Sequence, residues 1–293
     1  MGKGKNFAYG LICCILAEVS YGMNGFGASR LRGCGFETHS ILFYRFLLAS
    51  AILASIIVAR GESLRTPLRQ AIPAVICGLC FAGSALTLYL SFTMMDSGLA
   101  CTLLFVYPFM VIAIMAAFFK ERLSWRTLLP AFVALLGLVL LSGGGGTATA
   151  KGVLFVMASA LSYAGYMVIY EKWPANLGAF KMSLFTTVSC AAAVAAHALL
   201  TGIPLKMIDS PRAVGFALFL AVVPTVISIF FTVESLKHLG PTLTAILGAL
   251  EPMTSIFMGV FFLGESFTMR LVVGSVLILS AVTFVAASPR DKH

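Results

Sequence analysis

Hydrophobic residues dominate this chain in long blocks, and short polar or glycine-bearing segments separate each block from the next. The blocks lie near residues 7–28, 38–60, 71–93, 98–119, 125–142, 152–170, 178–201, 213–235, 242–263 and 269–287. Each approaches the roughly 17–25 residues a helix needs to cross a bilayer. Only helices can face lipid here without leaving backbone polar groups bare, so the pattern predicts ten transmembrane helices and an all-α integral membrane protein. The first block is long and lacks a small-residue cleavage site, so it is expected to be the first span and not a signal peptide. The gaps are too short to hold a soluble domain.

Two blocks carry an internal proline at matching places. Pro108 interrupts the fourth and Pro252 the ninth, and both blocks then end near an acidic residue, Glu121 and Glu265. At the same offset of 144, Ser124 matches Thr268, Arg126 matches Arg270, Ser84 matches Ser228 and Ser91 matches Ser235. Near the start of each half the offset is 142, pairing Gly10 with Gly152 and Ser20-Tyr21 with Ser162-Tyr163. The chain therefore reads as two five-helix repeats, 1–146 and 147–293, with the run Gly143–Gly146 and residues 147–150 as linker. Five is odd, so the second repeat enters the membrane from the opposite side. Breaks at corresponding places in two inverted repeats point to a substrate site near the midplane, with Pro108 and Pro252 as bend points.

Composition agrees with this picture: 60% of residues are hydrophobic and only 11% charged, against about a quarter charged in soluble domains. The net charge of +9 would suggest a nucleic-acid partner if it were clustered. It is instead asymmetric across the membrane. With both termini placed in the cytoplasm, Lys3, Lys5, Arg60, Arg65, Arg69, Lys120, Arg122, Arg126, Lys172, Lys181, Lys237, Arg290 and Lys292 fall on that side. The other side receives Arg30, Arg32, Lys151, Lys206, Arg212 and Arg270. This is the positive-inside bias, and it predicts a cell (inner) membrane protein with cytoplasmic N- and C-termini and no nucleic-acid partner.

Phe118-Phe119-Lys120-Glu121-Arg122-Leu123-Ser124 and Phe262-Leu263-Gly264-Glu265-Ser266-Phe267-Thr268 resemble the short turn that ends each repeat of the drug/metabolite transporter superfamily, EamA type. Arg45-Phe46-Leu47-Leu48-Ala49 is similar to that family's arginine-containing second helix. The resemblance covers essentially the whole chain and departs at Lys120, where the family often has glycine. It implies efflux of small metabolites, amino acids included, or of drugs. Ser124 and Thr268 read as N-caps of the fifth and tenth spans.

Polar side chains in hydrocarbon are costly and should face the interior of the bundle. Glu18, Tyr21 and Asn24 gather towards one face of the first span; Ser162, Tyr163 and Tyr166 do so on the sixth. Ser84 and Thr87 share a face of the third, and Ser228 and Thr232 a face of the eighth. Each serine or threonine can equally serve tight helix packing. Glu251 precedes the second proline, and its counterpart in the first repeat is Tyr107. Pro252 is expected to free the Gly248 carbonyl for substrate, and Pro108 that of Leu104. Arg45 is the obvious partner for a structural ion pair with Glu251. Glu18 lies nearer a span end, where it is expected to reach water.

These residues predict a secondary exporter of small metabolites, amino acids with large neutral or aromatic side chains foremost, working by alternating access. A multidrug or cationic-drug carrier is the alternative, and an intramembrane enzyme or a channel is more remote. No hydrolase motif and no phosphate-binding loop appears. Cys77-x-x-Cys80 lacks a second pair, and His39, His197, His238 and His293 are scattered along the chain, so neither a cofactor nor a metal is expected. Protons are compatible as a coupling ion, the other partners being membrane lipid and the small-molecule substrate. One monomer suffices for a pathway.

Overall fold

A computed structural model describes residues 2–91, 94–95, 97–121, 124–141, 149–173, 177–263 and 268–287. Residues 142–148, which hold most of the inter-repeat linker, and residues 264–267 lie outside the described residues. Span one comprises α1 (Gly2–Gly22) and α2 (Asn24–Arg32), divided at Met23. Spans two and three are α3 (Thr38–Ala59) and α4 (Leu68–Ser91). Span four is split into α5 (Ser97–Leu104) and α6 (Tyr107–Phe119), and span five is α7 (Trp125–Leu141). Spans six and seven are α8 (Ala150–Lys172) and α9 (Ala179–Thr201). Span eight runs through α10 (Pro211–Ala221), a π-helical turn (Val222–Ile227) and α11 (Ser228–Leu239). Span nine is split into α12 (Pro241–Leu247) and α13 (Leu250–Leu263), and α14 (Met269–Ala287) is span ten.

Nine of these spans are long and apolar enough to cross a membrane among the described residues. The tenth, α7, has 17 residues, or about 26 Å at 1.5 Å per residue, slightly under the roughly 30 Å hydrocarbon thickness. The predicted caps are present. Ser124 Oγ accepts from the Arg126 N–H at 3.2 Å and Thr268 Oγ1 from the Leu271 N–H at 3.4 Å.

The packing follows an exchange rule. Span one packs on eight and six on three; one packs on nine and six on four; three packs on seven and eight on two. Two–seven, four–nine and five–ten pack on each other directly. These main neighbour pairs thus map onto one another, or onto themselves, when the repeats are swapped. An internal two-fold relation between the halves produces that pattern.

Close crossings depend on small residues, because lipid tails offer no hydrophobic gain for bringing helices together. At the α7–α14 crossing a Cβ on Gly137 would lie 2.7 Å from the Gly274 carbonyl oxygen, and one on Gly274 would lie 2.6 Å from that of Gly137. At Gly215 on α10 a Cβ would meet nothing within 4 Å. Gly137→Ala should therefore lower thermal stability in detergent, by about 1–3 kcal/mol as for other overpacked sites. Gly215→Ala should leave it unchanged or raise it by about 0.5–1 kcal/mol through the lost flexibility of glycine.

Candidate functional site

The breaks in spans four and nine face each other. Pro108 lies in the first turn of α6, where a missing N–H costs nothing, and Pro252 lies in the first turn of α13. The prolines thus start new helices just after each break. Tyr107 reaches from one break to the other, its hydroxyl donating to the Ala245 carbonyl at 3.2 Å. Gly248 is required by this approach, since a Cβ there would run into the Tyr107 hydroxyl. The Gly248 carbonyl is not free for a ligand as expected: it accepts from the Glu251 N–H at 3.0 Å, in a tight turn that restores its bond.

Glu251 follows this turn, half-buried, and makes no ion pair among the described residues. The end of α1 is pressed against it. A Cβ on Gly22 would lie 2.6 Å from the Glu251 carbonyl oxygen and 2.6 Å from Thr254 Cβ. Glu18, one turn back on α1, is only 3% exposed, so the expectation that it reaches water is wrong: span one continues inward of it and covers it.

Aromatic rings from spans two, three, four and six form one connected wall. Tyr107 meets Tyr163 edge to face at 4.8 Å, and Tyr163 lies 5.9 Å from Tyr166. Phe81 touches Tyr163 at 5.9 Å and Tyr166 at 5.4 Å, and Phe46 continues the chain to Phe81 at 6.2 Å. Tyr166 is fully buried, and its hydroxyl has no hydrogen-bond partner among the described residues.

Arg45 is 2% exposed in the middle of the bundle. The ion pair expected with Glu251 is absent. Its Nε donates to Thr225 Oγ1 at 2.6 Å, Nη1 to Asn24 Oδ1 at 2.8 Å and Nη2 to the Pro224 carbonyl at 2.9 Å. The guanidinium also sits over the rings of Tyr21 at 5.1 Å and Phe46 at 5.2 Å. Its opposite charge acts on Glu251 only at longer range. Two of these partners come from a feature that the matched prolines do not predict. Pro224 lacks the N–H that would bond the Leu220 carbonyl, the chain widens into the π-helical turn, and Thr225 Oγ1 donates to that carbonyl instead at 2.7 Å. A proline inside the eighth hydrophobic block is the signal that could have found it.

Several predicted cavity residues turn out to pack helices. Ser84 and Ser159 pair at 3.0 Å, and Ser159 also donates to the Ser84 carbonyl at 2.8 Å, joining α4 to α8. Thr87 bonds back to the Gly83 carbonyl at 2.7 Å, and Ser162 Oγ is 3.6 Å from where a Gly83 Cβ would stand. Ser228 and Thr232 are buried on α11, the helix that runs along α1. The histidines are less scattered than the sequence implies: His39 Nε2 and His197 Nδ1 are 3.1 Å apart where α3 and α9 meet. No group of three metal-ligating side chains assembles among the described residues.

Exposure is uneven along the site helices. Cys13, Cys14, Ala17 and Glu18 are buried, Tyr21 and Asn24 half-buried and Gly25 exposed. In span nine α12 is buried apart from Leu243, whereas residues 251–256 are half-buried. Exposure thus rises from the buried starts of the site, at α12 and Cys13–Glu18, towards Gly25 and residues 251–256.

The sequence profile of the EamA-like transporter family matches this chain twice, over residues 8–143 and 150–287, one match to each repeat. The uncharacterized transporter YcbK of Bacillus subtilis (strain 168) is 26% identical over 286 residues, 93% of this chain and 91% of that one. The uncharacterized inner membrane transporter YicL of Salmonella typhimurium (strain LT2) is 23% identical over 298 residues, 97% of each. A protein of known crystal structure superposes with a TM-score of 0.81 at 18% identity, covering 97% of this chain and 98% of that one, which shows the shared fold. With both repeats matched, the chain belongs to the EamA-like transporter family of the drug/metabolite type and is a multi-pass membrane transporter.

Proposed function

We propose that this transporter is a secondary exporter of small metabolites, foremost amino acids with large neutral or aromatic side chains. The observation that carries the reading is Glu251, a half-buried carboxylate without an ion-pair partner among the described residues, held at a helix break beside the Tyr107–Tyr163–Tyr166 wall. A carboxylate in that position suits a substrate ammonium. Tyrosine rings bury an apolar side chain and still offer hydroxyls to polar groups.

Transport proceeds in this reading by alternating access. Support comes from the gradient of exposure along the site helices and from the breaks in spans one, four, eight and nine, where each half can rock against its partner. The charge bias favours the buried end as cytoplasmic, with both termini, in an inner membrane. Two carboxylates at the packed end of α1, Glu18 one turn before the Gly22 that meets Glu251, are costly to keep charged in a medium of low dielectric. A proton or a substrate cation relieves that cost, which makes protons a natural coupling ion. One chain supplies the whole pathway. The same pair of carboxylates favours hydrophobic drug cations as a second reading, and competition by such cations against amino acids separates the two.

Counterflow in proteoliposomes tests the substrate directly. Vesicles loaded with unlabelled phenylalanine should accumulate labelled phenylalanine saturably, and other large neutral amino acids should block it. Failure of every amino acid, with uptake of a hydrophobic cation instead, would move the substrate to drugs. Glu251→Gln should lower kcat/KM by tenfold or more, roughly one charge-assisted contact, with thermal stability little changed; a collapse of stability in parallel would make the carboxylate structural. Pro108→Ala and Pro252→Ala should each slow saturated counterflow while leaving KM near its original value. Unchanged rates in both would refute a role for the prolines in exchange between access states.

A further inference from the structure

Arg45 poses a problem that its surroundings do not solve. A guanidinium at the centre of a span costs about 2.5–3.5 kcal/mol on insertion scales, and a protein normally answers with a carboxylate. Here all three acceptors are neutral: an amide oxygen, a hydroxyl and a backbone carbonyl. No carboxylate of the described residues comes within 4.0 Å. The group has five N–H donors, and an anion would add to its hydrogen bonds the ion-pair attraction that neutral acceptors lack.

The positions of those acceptors matter as much as their chemistry. Asn24 opens α2, one residue beyond the break in span one, and Pro224 and Thr225 lie in the π-helical turn of span eight. Arg45, carried by span two, ties the irregular turns of spans one and eight together. Glu251 stands on the other side of span one, where Gly22 meets its backbone. Arg45, bonded to Asn24, and Glu251, packed on Gly22, thus flank one break without pairing. A molecule that carries a carboxylate and an ammonium on one carbon offers a partner to each.

We propose that Arg45 is the carboxylate receptor of the site, and that its bonds to Asn24, Thr225 and Pro224 are a latch which the substrate carboxylate takes over. The stronger anion displaces the neutral acceptors, and the break of span one is released from the turn of span eight. This rests on the amino-acid reading above and adds to it that the α-carboxylate itself triggers the movement. Tyr21 and Asn24, both half-buried, stand between Arg45 and the exposed end, and a carboxylate replaces the Asn24 amide oxygen on its way to the guanidinium.

Three ligands with one side chain test this on the wild-type protein by counterflow. They are phenylalanine, phenylethylamine (no carboxylate) and 3-phenylpropionate (no ammonium). Phenylalanine alone should exchange rapidly, with phenylethylamine slower by tenfold or more, about the worth of one charge-assisted bond. Arg45→Lys keeps the charge but loses the fork, and should lower kcat/KM for phenylalanine about tenfold, so that the advantage of phenylalanine over phenylethylamine shrinks. Thr225→Val removes one latch acceptor and should leave or lower the phenylalanine KM, and so keeps a readout if Arg45→Lys does not fold. Phenylethylamine exchanging as fast as phenylalanine would overturn the receptor while leaving an amine carrier standing. A Thr225→Val KM raised several-fold would overturn the latch. Silence with all three ligands would remove the amino-acid reading and this inference together.

Discussion

A guanidinium buried in a membrane protein must be given acceptors, and much of the site's architecture is the consequence of giving them to Arg45. Helical backbone spends its carbonyls on itself, so a regular bundle has none to offer. The Pro224 carbonyl reaches Arg45 in a π-helical turn. The same turn moves Thr225 so that its hydroxyl can accept from Arg45 while donating to Leu220. Asn24 supplies the third acceptor from the first residue of α2, just beyond the break in span one. Irregular backbone and buried charge therefore require one another. Straightening span eight would strand the arginine; removing the arginine would withdraw a donor from the Pro224 carbonyl.

The breaks in spans four and nine obey the same rule by other means. There the chain is repaired locally, through the Glu251 N–H returning to the Gly248 carbonyl and the Tyr107 hydroxyl bonding Ala245 from the opposite repeat. Fewer backbone groups remain for a ligand than a proline in a helix suggests. What the breaks deliver is position: they bring Glu251, Tyr107 and Gly22 to one place and leave a carboxylate partly open there. The chemistry belongs to side chains.

How much of this is legible in the sequence depends on whether the cause is local. Ten hydrophobic blocks, a duplicated order and two prolines at one offset are patterns within a segment, and the helices and their breaks follow from them. The α1–α2 break at Met23 and the Pro224 turn are as local, but neither has a counterpart at the repeat offset, so duplication does not flag them. An Arg45–Glu251 pair is the natural expectation for buried residues of opposite charge. Its failure rests on contacts 21, 179 and 180 residues apart in sequence, which no spacing rule supplies. Ser84 and Thr87 have the right periodicity for a lining, yet they serve α4 and its contact with α8. Periodicity says which face is polar and is silent about what that face meets. His39 and His197 meet for the same reason, through the pairing of spans two and seven.

Duplication makes a symmetric scaffold, and the site breaks that symmetry residue by residue. At the repeat offsets Glu251 corresponds to Tyr107, Asn24 to Tyr166 and Thr225 to Phe81, while Tyr21 corresponds to Tyr163. Charge and hydrogen-bonding groups gather on spans one, two, eight and nine, and the ring wall, begun by Phe46 on span two, lies mostly on three, four and six. The exchange rule maps the first set onto spans six, seven, three and four, so polar and aromatic halves face each other across the internal two-fold. A symmetric cavity would bind an elongated molecule equally in two opposite orientations. In the proposed reading, the polar head goes to the arginine–glutamate side and the apolar tail to the tyrosines. It also gives the two halves different reasons to move. The polar half is held by directional bonds that a charged head can compete for, and the aromatic half by ring contacts that tolerate sliding. In the proposed mechanism the ligand's head therefore decides when the bundle shifts, and its side chain decides only whether it fits.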